Sequence, residues 1–147
     1  MGYTIQIRHE GELNIPPDAG YVPPNPEWPN YIKLRGRDVG VLLRLMIAVG
    51  VVDESIDSGK KRKECRPGAV PAYKFFSNDG YVVSALEAKL ISEAMDRPDI
   101  CTPEFVKRHF PKVDTTKAHI MNYVQQVVRL WVTYNRVAAV NDGYTIK

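Results

Sequence analysis

Cysteine is nearly missing from this chain. Cys65 and Cys101 are its two copies, and they form no Cys-x-x-Cys pair. One potential disulfide is too thin a framework for a secreted domain, so the pattern predicts free thiols in a reducing cytoplasm. Histidine is as scarce, with three residues. Cys101, His109 and His119 are separated by seven and nine residues, spacings that match no common zinc finger, and no metal or other cofactor is expected. There is no Gly-x-Ser-x-Gly elbow for a nucleophilic serine. There is no glycine-rich loop of the kind that cradles phosphate between a strand and a helix. The longest apolar stretch, Val39 to Val52, is broken by Arg44 and falls short of the roughly 20 residues that cross a bilayer. The first residues carry no apolar signal-peptide core. Charge of one sign is also wanting, because the net value of +3 is mild. A total of that size implies neither nucleic acid nor membrane, and local clustering matters more.

The 147 residues fit one domain, and a chain of this length hides enough surface to build a core without staples. Hydrophobic residues at 44% and charged residues at 25% are ordinary globular usage. Proline is the exception, since six of the eleven lie between Ile15 and Pro29. That arm, about residues 15–30, cannot be a helix or a central strand. Tyr21 and Trp28 are its two large aromatics, able either to pin it to the body or to meet a protein partner.

Alternation predicts strands at 3–8 and 31–35. The segment 37–50 carries Leu42, Leu45, Met46 and Val49 at helical spacing, with Val41, Leu43 and Ile47 on other faces. It reads as a helix buried nearly all round, ending at Gly50. Residues 53–68 are polar and highly charged with no period, and read as an exposed loop. The runs 70–76 and 80–83 flank Asn78-Asp79-Gly80, the sequence signal of a β-hairpin. Ser84 with Glu87 three residues on is a capping box opening a helix over 85–96, whose buried face is expected to be Leu86, Leu90, Ile91 and Met95. Thr102 and Pro103 start a short helix over 103–109. Asp114 or Thr115 should cap the longest helix, 115–138, with Ile120, Val124, Val127, Trp131, Tyr134 and Ala138 in one stripe. Trp131, Tyr134 and Tyr123 are core residues by this spacing rather than the lining of a ligand pocket. Asn141-Asp142-Gly143 ends that helix, and 143–147 is a last strand nearly copying the first. The fold class is therefore α+β, a small, mostly antiparallel sheet with about four helices on one face. Both Asn-Asp-Gly copies read as turns.

The run from Asn78 to Met95 resembles a segment of small uncharacterised bacterial proteins, in which an Asn-Asp-Gly turn and a short strand lead into a Ser- or Thr-capped Glu-Ala helix. The likeness extends to Gly50 after the early apolar helix and to Trp131 through Ile146, about half of the chain. The Pro-rich arm and the basic loop stand outside it. The resemblance implies a fold and no activity.

Five cations, Lys60, Lys61, Arg62, Lys63 and Arg66, fall within seven residues. Such a run neutralises phosphates or meets an acidic protein surface. Cys65 sits inside it, where neighbouring cations favour thiolate. Two function classes follow. The first is a small soluble bacterial or phage protein, not an enzyme, that binds another protein as an inhibitor, adaptor or immunity-like module. The alternative is a nucleic-acid-binding accessory protein using the basic loop 60–66, helped by Lys107, Arg108 and Lys112. Strand addition at the terminal strands would permit a homodimer.

Overall fold

The first strand, β1 (Gly2–Ile7), carries the expected alternation: Ile5 and Ile7 are buried while Thr4 and Gln6 are half-exposed. The structure is a computed structural model that describes residues 2–17, 31–54, 66–75 and 80–147. Tyr21 and Trp28 of the Pro-rich arm, Lys60, Lys61, Arg62, Lys63 and Cys65 of the basic loop, and Asn78-Asp79 all lie outside the described residues.

β1 pairs antiparallel with β2 (Tyr31–Arg35), which places Ile32 opposite Ile5 and Leu34 on the same buried face. Helix α1 (Gly36–Ala48) follows at once, and the Asp38 carboxylate accepts from the Arg35 amide, tying down its first turn. Val39, Leu42, Leu45 and Met46 face the core. The all-round burial expected for this helix does not occur. Gly40 and Arg44 are exposed and Val41, Leu43 and Ile47 only half-buried: Val41 looks into the groove described below, and Gly40, Leu43, Arg44 and Ile47 line a second depression that His109 borders.

After α1, β3 (Val52–Asp53) pairs parallel with β4 (Val70–Pro71) as a separate two-residue ladder. The strand expected over 70–76 stops there. Pro71 has no amide to continue a ladder. Ala72, Tyr73 and Phe75 are all buried, a spacing that a strand of period two cannot supply, and the chain winds into a 3₁₀ turn over Ala72–Phe75. Among the described residues the expected hairpin is likewise absent. β5 (Tyr81–Val83) pairs with β6 (Tyr144–Ile146), in the register Tyr81 to Ile146 and Val83 to Tyr144. Burial decides this pairing: it puts Val83, Tyr144 and Ile146 on the face already lined by Ile5 and Ile7.

β6 also pairs antiparallel with β1, giving the order β2-β1-β6-β5. The two terminal strands are thus the centre of the sheet. Homodimerisation by strand addition at them has no free edge to use, since the edges are β2 and β5.

Helix α2 (Ala85–Met95) opens on the predicted capping box, Ser84 Oγ accepting from the Glu87 amide at 3.1 Å and Glu87 Oε1 from the Ser84 amide at 3.0 Å. Glu87 Oε1 also takes the Lys74 ammonium at 2.7 Å, bolting the 3₁₀ turn to the helix. The buried face is Ala88, Ile91, Ser92 and Met95. Leu90 is only half-buried and Leu86 stands 67% exposed, because the packing stripe of α2 is turned toward Ala88. A 3₁₀ turn (Pro98–Cys101) leads to α3 (Pro103–His109), capped by Thr102 as expected. Helix α4 (Ala118–Ala139) packs along α2 and across the sheet, with Val124, Val127, Trp131, Tyr134 and Ala138 buried. It begins three residues later than predicted, since Asp114 does not cap it. The Asp114 carboxylate instead accepts from the amide and hydroxyl of Thr116, closing a turn of its own.

Candidate functional site

Helices α1, α3 and α4 do not close fully against one another. Between them lies an open groove of about 400 Å³. Its wall on α1 is Val41 and its wall on α3 is Val106. Phe110 and Val113 of the connection 110–117 form one end, and Ile120 and Val124 of α4 form the floor. The polar groups at its mouth are Arg37, His119 and the Tyr123 hydroxyl.

The groove is held in shape by groups that are not themselves in it. The Lys107 ammonium donates to the carbonyls of Pro111 at 2.8 Å and Val113 at 3.1 Å. These two bonds fold the chain after α3 back on itself, which aims Phe110 and Val113 inward. Arg44 donates to the His109 carbonyl at 3.2 Å and lies over the Phe110 ring, 5.8 Å from its centroid. The His109 ring rests on Phe105 with centroids 4.6 Å apart. Asp114, held below its ordinary range mainly by the Thr116 hydroxyl, keeps the remainder of the loop in a fixed turn.

At the mouth, the Tyr123 hydroxyl donates to the Asp38 carboxylate. Arg37 lies over the Tyr123 ring at 5.1 Å and near Asp38 at 3.7 Å, yet its side chain is 68% exposed. The Tyr123 hydroxyl is pushed up to about 12, first by burial and then by its bond to the Asp38 anion. It is a neutral donor at physiological pH and cannot serve as a base there. Tyr144, fully enclosed, lies well above the ordinary phenol value for the same leading reason.

Unfolded tyrosine ionises near 10, so both residues favour the folded state fully below that pH and progressively less above it. The urea midpoint should therefore be flat approaching pH 10 and fall beyond it. Tyr144, the more deeply enclosed, should supply the larger part of the fall and Tyr123 a smaller, solvent-screened share. Tyr123→Phe should shallow the fall slightly. A midpoint indifferent to pH between about 10 and 12 would show that neither hydroxyl is buried as described.

The sequence-derived site residues are distributed differently. Arg66 is described, and its guanidinium donates to the Gly50 carbonyl just past the end of α1, a structural engagement. Its amide approaches the Asp53 carboxylate at 3.4 Å. Lys107 is similarly occupied. Arg108 and Lys112 are exposed. Cys101, His109 and His119 do not gather, and among the described residues no three His, Cys, Asp or Glu side chains converge on a metal position. Trp131 and Tyr134 are core, as their spacing predicts: the Trp131 indole sits 3.4 Å from Met46 sulfur and the Tyr134 hydroxyl donates to the Ile5 carbonyl at 2.6 Å. Tyr123 is the one of the three aromatics that lines a cavity. The groove residues Arg37, Val41, Phe110, Val113 and Ile120 were not predicted as a site. Their signal was an excess of apolar positions on α1 and α4 beyond the stripe that the core needs.

Comparison of the chain with protein-family models, with curated proteins and with solved structures gave no match.

Proposed function

We propose that this is a protein-binding module, and that the groove between α1, α3 and α4 seats an acidic, apolar segment of its partner. The observation that carries the reading is an apolar groove with Arg37 and His119 at its mouth, bordered by a connection rich in cations. Residues 107–119, which supply Phe110, Val113 and His119 to the groove, contain Lys107, Arg108, Lys112 and Lys117 against the single acid Asp114, and Arg37 stands at the mouth beside Asp38. One or two bulky side chains would fill the space above Ile120 and Val124. Carboxylates flanking them would face Arg37, Lys112 and Lys117. The bonds from Lys107 and Arg44 fix the shape beforehand, which lowers the ordering cost that an interface must otherwise meet. A half-open apolar depression with a polar rim is the kind of surface on which a few buried anchors supply most of the affinity.

Panning a random peptide library on the immobilised protein tests the proposal. Enriched peptides should combine acidic with bulky apolar residues, and Ile120→Glu should weaken them by about tenfold or more. Glutamate is tolerated in the first turn of a helix, so the variant should fold. Peptides without acids, or peptides blind to the substitution, would remove the groove from consideration. Salt-dependent binding of labelled DNA or RNA, abolished when Lys60, Lys61, Arg62 and Lys63 are changed to Ser, would instead establish the nucleic-acid alternative.

A further inference from the structure

On the opposite flank of α4 the chain brings together three arginines that lie far apart in sequence. Arg97 comes from the connection after α2, and Arg129 and Arg136 from α4 itself, two turns or about 10 Å apart along the helix. They line a cleft of about 480 Å³ whose floor includes Met95 and Val132.

Two of the three arginines are braced. Arg97 forms a two-pronged pair with Asp99, Nε to Oδ1 at 3.1 Å and Nη2 to Oδ2 at 2.7 Å. Arg136 is paired with Asp96. A guanidinium has five donors, and each of these retains unused ones on side chains that are 45% and 32% exposed. Arg129 is exposed and has no hydrogen bond or ion pair among the described residues. Three cations therefore meet two carboxylates, of which Asp96 also lines the cleft, and the unbalanced charge is that of Arg129. Thr133 adds a hydroxyl one turn from Arg129.

We propose that this cleft binds a phosphate group, with Arg129 as its principal ligand and the unused N–H groups of Arg97 and Arg136 as further donors. Planar arginine forks match the oxygens of a tetrahedral oxyanion, and holding two of the three in place beforehand spares much of their ordering cost. The phosphate could be that of a small monoester or of a nucleic-acid backbone. Both present the same oxygens to the same forks.

Cys101 lines the cleft and reports on it. Burial pushes its thiol up, and the nearby Arg129 charge pulls it partly back. An anion on Arg129 would cancel that pull, lower the thiolate fraction and slow alkylation. In a Cys65→Ser protein Cys101 is the only thiol. Its alkylation by iodoacetamide should be about threefold slower or more in saturating inorganic phosphate than in chloride of equal ionic strength. In Arg129→Gln the chloride rate should already be low and phosphate should change it little. Line broadening in the phosphorus NMR signal of phosphate, present with the parent and lost with Arg129→Gln, gives a second readout independent of thiol access. Equal rates in the two salts together with an unbroadened signal, or equal effects in both proteins, would overturn the proposal. Competition by a phosphomonoester against a single-stranded oligonucleotide then identifies the source, according to which one saturates at the lower concentration.

Discussion

Changing Gly143 to alanine should cost about 4 kcal/mol or more, among the largest effects that any single substitution here can produce. Gly143 has φ of +76°, and a Cβ built there lies 2.0 Å from the Val83 carbonyl oxygen, 2.7 Å from Ser84 C and 2.9 Å from Ala85 N. All three are backbone atoms at the junction of β5 and α2, where Ser84 caps the helix, so no rotamer change relieves the overlap. The strand or the helix start has to move. Gly80 supplies the control. It occupies the same place in the other Asn-Asp-Gly-Tyr copy and has φ of +85°, but an added Cβ meets nothing within 4 Å. Gly80→Ala carries only the left-handed backbone penalty, about 1–2 kcal/mol. Urea unfolding of the two variants compares them directly. Equal losses would mean that Gly143 is not wedged against β5.

A second large effect is expected at Asn135, which is fully buried. Its amide donates to the Trp131 carbonyl at 2.8 Å, and its carbonyl oxygen accepts from the buried Tyr144 hydroxyl at 3.0 Å. Asn135→Leu should cost about 2–3 kcal/mol, because the Tyr144 hydroxyl loses its acceptor in a place water does not reach. Tyr144→Phe should cost about 1–2 kcal/mol by orphaning the Asn135 oxygen. The Trp131 carbonyl keeps its ordinary helical partner in either case. The double variant removes both polar ends and should be more stable than Asn135→Leu alone, with a coupling of about 1 kcal/mol or more in a double-mutant cycle. Strict additivity would mean that the two side chains do not share this bond.

The parts of the fold that were legible in the sequence are those decided within a few residues. Ser84 with Glu87, and Thr102 with Pro103, are caps whose partners are three residues away or fewer, and they stand as read. The long stripe of α4 was legible because one face of twenty-two residues repeats the same demand. The partner of β5 was not. Proximity favoured residues 70–76, while the competition was settled by a strand sixty residues further on that offers Tyr144 and Ile146 to the same buried layer. Leu86 illustrates the same limit, since helical spacing leaves its rotation undecided until Ala88 finds a close neighbour. The groove is a smaller case: Val41 and Ile120 read as ordinary core until the helices carrying them fail to meet. The cleft of Arg97, Arg129 and Arg136 was beyond reach for a simpler reason, because only the packing of α2 on α4 makes neighbours of them.

β6 runs between β1 and β5 and is hydrogen-bonded on both sides. During synthesis it is the last of the described strands to leave the ribosome. Until then β1 and β2 have only each other, β5 has no partner, and the apolar faces of α2 and α4 have no completed sheet to cover. Secondary structure can form as the nascent chain lengthens, but the central seam closes in a single late step that joins opposite ends of the sequence. Contacts of such range slow folding. A chain released a few residues short of Tyr144 would therefore have its helical segments but an open core, the form in which a chaperone or a protease would meet it.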